Sequence, residues 1–397
     1  MPVLSVIIPT HNRSKYAVPT IRAMIALSPD IEVVVSNTST MDEISSIRDG
    51  LAGQERLVLI RPPVGISVVD NFNLALQSAT GDYLIFIGDD DLVTSQAVEL
   101  AKWAKTRGVD SFCFAFPASY YWPDFVHQLR GDFYAGTVRI AAFGSAVRLH
   151  AADRALENAA AQFGAGVLDM PRAYAGMLSR SLADRIVVKY GALFGGVSPD
   201  IYSAALISAE SKTCVKIEYP IVVPGNSGAS TAGQSASGGH VGKLRENAHI
   251  GAFKDLVWDP LIPEFYSVPT VWSFSLLKAL EKMDKVSLAN FMRLYVRCLI
   301  FHRAFWPETR RSMSAYAHKV GIARAIGEFI GALLAEGAWV VRKIFSMARV
   351  TASGRAPPNL RNVADTPSAS RLIEAELQRS QVNGAFSDAL ASFPLIK

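Results

Sequence analysis

The sequence predicts an α/β fold: a sheet covered by helices on both faces, followed by a C-terminal helical region. Three observations predict it. Short β-branched runs alternate with helical periodicity through the first 116 residues, the pattern of parallel strands joined by right-handed crossovers. From about residue 270 the pattern is helical. The 397-residue chain is 50% apolar and 19% charged, so it can bury a large core and is too apolar for disorder to dominate.

The elements follow in order. Val3, Leu4, Ser5, Val6, Ile7 and Ile8 form a short apolar run read as a buried strand. Further strands are expected at 31–35, 57–60, 83–87 and 111–116, with helical patterns at 16–27, 68–79 and 95–107. The middle, 117–224, is less regular, with helices expected at 153–163 and 199–208 and a strand at 218–223. Residues 225–239 are 12 of 15 Gly, Ser or Ala, which cannot bury side chains and should be mobile. Residues 241–350 make a basic helical region, and 351–397 read as a linker with a short C-terminal helix.

Charge is uneven. Residues 1–115 carry 9 basic and 13 acidic side chains, whereas 231–397 carry 21 and 13, so the two ends should meet different partners. Cys113, Cys214 and Cys298 are odd in number and far apart, which supports neither a disulfide framework nor a zinc cluster and points to a reducing, cytoplasmic compartment. No secretory signal is evident. The longest near-apolar stretch, 322–341, is broken by Arg324, Glu328 and Glu336, so the chain reads as non-spanning.

Ligands on open parallel sheets bind beyond the carboxyl ends of the strands. Pro9, Thr10, His11, Asn12 and Arg13 follow the first strand, and Ser36, Asn37, Thr38 and Ser39 follow the second. Such polar clusters suit a base and ribose, or ordinary loop and N-cap chemistry. The first glycine is Gly50, so neither a glycine-rich dinucleotide turn nor a P-loop follows the first strand, which excludes nicotinamide dehydrogenases and P-loop kinases. Gly88, Asp89, Asp90 and Asp91 follow the fourth strand. Three adjacent carboxylates at the end of a buried strand repel one another, which is costly without a cation. Oxygen ligands of this kind suit Mg²⁺ or Mn²⁺ shared with a substrate diphosphate. The competing reading is a solvated acidic turn. Asp200, in the first turn of a helix, either complements the helix dipole or serves as a base at the rim of a pocket.

Residues 6–13, 35–39 and 71–91, with Arg172, Ala173, Tyr174, Gly191, Ala192, Leu193, Phe194, Pro199 and Asp200, together resemble family 2 glycosyltransferases of the GT-A fold. The resemblance spans roughly 1–235, and nothing in 270–397 contributes to it. It implies a Rossmann-like mixed sheet in a catalytic domain over 1–240, with a nucleotide-binding half at 1–116 and an acceptor half with a mobile loop at 117–240. It implies that Pro9, Thr10, Asn12 and Arg13 line a nucleotide-sugar pocket, with His11, Asn71 and Asp90 beside them. Asn37 would face the base. The family usually has an acidic residue there, so the base stays open, with a UDP-sugar favoured. Asp89 would contact ribose or metal, Asp91 would ligate the metal, and Asp200 would be the general base. His240 would approach the metal or diphosphate as the loop closes, or else be an exposed loop histidine.

The implied reaction is an inverting, metal-assisted single displacement onto a hydroxyl of a polysaccharide, glycan or lipid-linked saccharide. Two alternatives stand beside it. A sugar-1-phosphate nucleotidyltransferase typically has a glycine-rich basic loop after strand one, which this chain lacks. A non-catalytic nucleotide- or saccharide-binding protein of the same fold would not need Asp89, Asp90, Asp91 and Asp200. No nucleic-acid partner is expected. For the basic C-terminal helices two readings compete: a peripheral contact with anionic lipid at the inner face of a membrane, or the wet side of a subdomain that packs on the catalytic part or a second subunit. The second is favoured.

Overall fold

The computed structural model describes residues 2–40, 43–46, 53–230, 233, 241–253, 255–352 and 359–394. The chain opens with β1 (Leu4–Thr10), α1 (Ser14–Leu27), β2 (Ile31–Asn37), β3 (Leu57–Ile60), α2 (Val68–Ser78) and β4 (Tyr83–Phe86). β1 is flanked by β2 and β4, and β2 by β3, all parallel, as the strand–helix alternation predicts. The register sets Thr10 beside Asn37 and Ile7 beside Phe86, so the three polar loops emerge together. α2 starts where the Ser67 hydroxyl accepts from the Asp70 amide at 3.1 Å.

β5 (Leu92–Val93) and α3 (Gln96–Arg107) come next. α3 stops at Gly108, whose φ of 64° is the left-handed region that glycine enters without strain. β6 (Ser111–Phe114) follows, then β7 (Ala118–Tyr121), β8 (Thr137–Ile140), β9 (Val147–Leu149), α4 (Ala152–Ala161), β10 (Met177–Ser179), α5 (Arg180–Tyr190), α6 (Pro199–Glu210), β11 (Cys214–Ile217), β12 (Val222–Val223) and β13 (Gly225–Asn226). The main sheet has the order β3-β2-β1-β4-β10-β6-β11-β9. β10 runs antiparallel to both β4 and β6, which makes the sheet mixed. At three residues, β10 is too short to carry a readable period. The strand expected at 218–223 divides into β11, slightly upstream, and β12, which pairs with β5. α5 was not expected from the sequence.

The helical C-terminal part consists of α7 (Val268–Lys282), α8 (Phe291–Phe301), α9 (Trp306–Val320) and α10 (Ile322–Ala352). α7 opens on a capping box between Ser267 and Thr270. α4, α6, α7 and α8 join α2 in one core on the sheet face that Ile7 and Val34 point to. Val6, Ile8, Val33 and Val35 point to the other face. That face is covered by α1, α3 and the end of the chain. β14 (Asn359–Leu360) pairs with β8, and α11 (Thr366–Arg379) and α12 (Val382–Ser392) complete this second core with Ile373, Leu377, Phe386 and Leu390. Phe386 stacks on Tyr219 at 4.5 Å between ring centroids. Within the end of the chain, read from sequence as a linker and one short helix, the described residues 359–394 thus hold a strand and two helices integral to the N-terminal half. The reading missed this because a small apolar stripe on a short helix does not reveal what it covers.

Charge on α10 also departs from expectation. Its outward face is apolar, where interleaved basic residues predict a wet side. Of the acids that interrupt the apolar stretch, Glu336 turns inward and is fully buried against Arg293 and Arg297.

Candidate active site

The site forms where β1, β2 and β4 end. Thr10 closes β1, and its hydroxyl donates to Asp89 Oδ2 at 2.5 Å. Asn12 adopts a left-handed φ of 53°, a conformation asparagine tolerates better than most residues. Its Oδ1 accepts from the Thr40 amide at 2.9 Å, and its own amide donates to Ser39 Oγ at 2.7 Å. His11 Nδ1 lies 3.0 Å from the Thr38 carbonyl. The loops after β1 and β2 are therefore laced together, with His11 and Asn12 exposed above them. Asn37 is buried, and its Oδ1 accepts from the Ser39 amide at 2.9 Å. Asn71 sits deeper, on α2, where its Oδ1 accepts from the Ser36 hydroxyl. It props the end of β2 from behind.

Asp89, Asp90 and Asp91 are all buried, so the turn is not the solvated one that sequence reasoning left open. Burying three carboxylates demands partners, and the fold supplies them in two ways. Arg13 places Nε 3.0 Å from Asp89 Oδ1 and a terminal nitrogen 3.0 Å from Asp90 Oδ2. The segment around β13 supplies amides: Gly225 N donates to Asp91 Oδ1 at 2.7 Å, and Ser227 donates to Asp90 Oδ2 through its amide at 3.1 Å and its hydroxyl at 2.6 Å. Arg13 also donates to Ser227 Oγ at 2.9 Å and the Ala229 carbonyl at 3.3 Å, so one guanidinium ties three loops. Asp91 Oδ2 accepts from Gly88 N at 2.7 Å and the Tyr174 hydroxyl at 3.2 Å. A Cβ on Gly225 would fall on the Asp90 carbonyl oxygen, far inside contact distance, so this approach needs glycine.

Charge does not balance locally. One guanidinium faces three carboxylates, and burial pushes Asp89 up to about 7 against the opposing pull of Arg13. Burial and the charge of Asp90 push Asp91 up to about 6. Tyr174 is held well above the usual phenol range by burial and by the charges of Asp91, Asp90, Asp89 and Asp200. The Tyr174 hydroxyl thus feels the charge of all four acids. Asp200 lies in the first turn of α6, half-buried, and its Oδ1 accepts from the Ser198 hydroxyl at 2.6 Å. Burial lowers Arg172, and the charge of Asp200 opposes this. Arg172 also stacks over Phe116 at 5.4 Å.

Thr10, Arg13, Asp89, Asp90 and Asp91 are in direct contact, with Asn12 and Asn37 in the adjoining loops. Asn71 is one layer removed, and Pro9 is part-buried in β1. His240 and most of the Gly/Ser/Ala segment lie outside the described residues. The described start of that segment is pinned, with Ser227 and Ser230 buried, which differs from the expectation that it can bury nothing. Tyr174, Gly225 and Ser227 were not singled out from the sequence as parts of this cluster. A short Gly-Asn-Ser run carries no signal of the carboxylates it will meet.

The donor set suits a hard divalent cation. It offers only oxygens and surplus negative charge, and Asp91, with three hydrogen bonds, keeps about one of its roughly four acceptor positions free. A separate group, Cys113, His150 and Asp169, brings ligand atoms within 4.8 Å of one another, a proximity their sequence spacing does not show. There the Asp169 carboxylate is paired to Lys216 at 2.6 Å, and His150 Nε2 lies 2.7 Å from the Asp169 carbonyl.

A mixed sheet with buried carboxylates at the end of β4, beside polar loops after β1 and β2, fits a glycosyltransferase of the GT-A fold. Residues 5–143 match the family model described as Glycosyl transferase family 2. No curated protein matches the chain. Among solved structures, it is similar to S. aureus TarS 1-349 in complex with UDP-GlcNAc, at 14% identity over 84% of this chain and 80% of that one, with a TM-score of 0.39. It is also similar to the mannosyltransferase PcManGT from Pyrobaculum calidifontis in complex with GDP-Man and Mn2+, at 17% identity over 96% and 88%, with a TM-score of 0.39. The assignment rests on the family match and on the topology and site of this chain.

Proposed function

We propose that the protein is an inverting glycosyltransferase that moves a sugar from a nucleoside-diphosphate donor to a hydroxyl of a saccharide or lipid-linked saccharide. The observation that carries the reading is the buried, under-compensated carboxylate cluster of Asp89, Asp90 and Asp91 at the end of β4. Thr10, His11, Asn12, Arg13 and Asn37 would line the nucleotide side. Asp89 and Asp91 would hold Mn²⁺ or Mg²⁺, which when bound supplies a Lewis acid for the charge developing on the departing diphosphate.

Asp200 is the candidate base. Ser198 holds one carboxylate oxygen, leaving the other to take the acceptor proton. As the acceptor oxygen bonds to the sugar C1, the bond from C1 to the phosphate oxygen breaks, the proton passes to Asp200, and nucleoside diphosphate leaves. Tyr174 and the amides of Gly88 and Gly225 hold Asp91 in position throughout.

Donor hydrolysis tests the reading. A panel of UDP-, GDP-, dTDP- and CDP-sugars should include one from which the protein slowly releases nucleoside diphosphate with Mn²⁺, stopping when EDTA is added. Binding without turnover under any acceptor would favour a non-catalytic binding protein.

A further inference from the structure

α10 packs on α8 and α9 through Ala325, Ala332 and Glu336, all buried. One of its acids, Glu336, serves the protein's own interior. Glu336 accepts from Arg293 Nε at 2.6 Å and Arg297 at 2.5 Å, and Glu328 accepts from the Tyr316 hydroxyl at 2.7 Å and Arg324 Nε at 2.8 Å. The opposite face carries Ile322, Ile326, Ile330, Leu334, Val341 and Phe345, each between 51% and 71% exposed. Their spacing puts them on one stripe, about 35 Å long at ~1.5 Å per residue. Between Arg324 and Arg342 every fully exposed position is Ile, Leu, Val, Ala or Gly. A helix with a buried glutamate inside and a continuous apolar stripe outside inverts the usual pattern, and soluble monomers rarely leave such a patch uncovered.

We propose that this face of α10 rests on an anionic lipid bilayer, with the helix lying in the plane of the interface. Charge selects this occupant over a second copy of the chain. Leaving out the interior Arg293, Arg297 and Glu336, residues 291–352 hold eight basic and two acidic side chains, so two copies meeting through this face would bring two positive regions together. An anionic surface attracts the same region. No helix among the described residues is long and apolar enough to cross a membrane, so the helix lies on the surface instead of spanning it. Trp306, half exposed at the start of α9, is a residue type that settles at a lipid–water boundary. The proposal does not depend on the sugar-transfer reading, because it is read without donor or turnover.

The test is sedimentation of the full chain with phosphatidylcholine vesicles, with and without about 30% phosphatidylglycerol. The expected result is partition at least about tenfold stronger onto the anionic vesicles, weakened by added salt. Ile330→Glu with Leu334→Glu should lower it about tenfold or more. Ile330→Ser with Leu334→Ser, milder in case the charged pair disturbs folding, should lower it in the same direction while the thermal midpoint stays unchanged. Binding that ignores both pairs, or no binding to anionic vesicles, would overturn the proposal. So would a dimer in sedimentation equilibrium that the substitutions dissociate in the absence of any vesicle binding, which would assign the face to a second copy.

Discussion

Arg13 stands in the loop after β1 and supplies positive charge that the carboxylate cluster demands. The sequence placed it in the pocket but not on Asp89 and Asp90, because the contact joins the ends of two strands 76 residues apart in sequence. Arg13→Met should destabilise the metal-free protein by about 2–4 kcal/mol, since it strands buried charge. Urea unfolding should show part of this recovered by Mn²⁺. Equal loss with and without the ion would mean that Arg13 is not standing in for a cation. Asp200 is more exposed and carries a single hydrogen bond to Ser198, so Asp200→Asn should fold normally. Its expected cost is about 10²–10⁴ in kcat, or roughly 3–5 kcal/mol of transition-state stabilisation, with nucleoside-diphosphate binding retained in calorimetry. Wild-type turnover would remove Asp200 from the base role.

Among the elements, those with a strong period were legible. The first four sheet strands and the helices α1, α2 and α3 stand within a few residues of where β-branched runs and apolar spacing put them. β10 and β13 were not, because two or three residues carry no period and their pairing is decided by distant partners. α11 and α12 show the same limit from another side. Their sequences are helical, but nothing local says that they cover the sheet face shared with α1 and α3. The hydrogen bonds from Trp103 Nε1 to the Leu390 carbonyl at 2.9 Å and from the Ser95 amide to Glu374 at 2.8 Å fix them there. Phe386→Ala removes a fully buried ring stacked on Tyr219 and should cost about 3–5 kcal/mol in chemical denaturation. A change near zero would mean that the terminal helices are not part of the catalytic core.

Over the whole molecule, charge divides the work. The acidic N-terminal third holds the carboxylate cluster, and the basic C-terminal third carries the helices around α10. The cluster gives the protein a pH signature. Asp89 and Asp91 are raised in the folded state mainly by burial, so folding takes up protons between the ordinary carboxylate pKa, about 4, and about 7. Their contribution to stability therefore falls as pH rises through that window, and a divalent ion that replaces those protons stabilises more above it. The rise in Tm on adding Mn²⁺ and UDP should be larger near about pH 8 than near about pH 5.5. An equal rise at both would place the ion elsewhere. The most direct measurement is anomalous diffraction at the manganese edge from crystals grown with Mn²⁺ and UDP. The account predicts one strong peak bonded to Asp89 or Asp91 and to the diphosphate. A bound diphosphate with no peak there, or a peak that touches neither carboxylate, would contradict it.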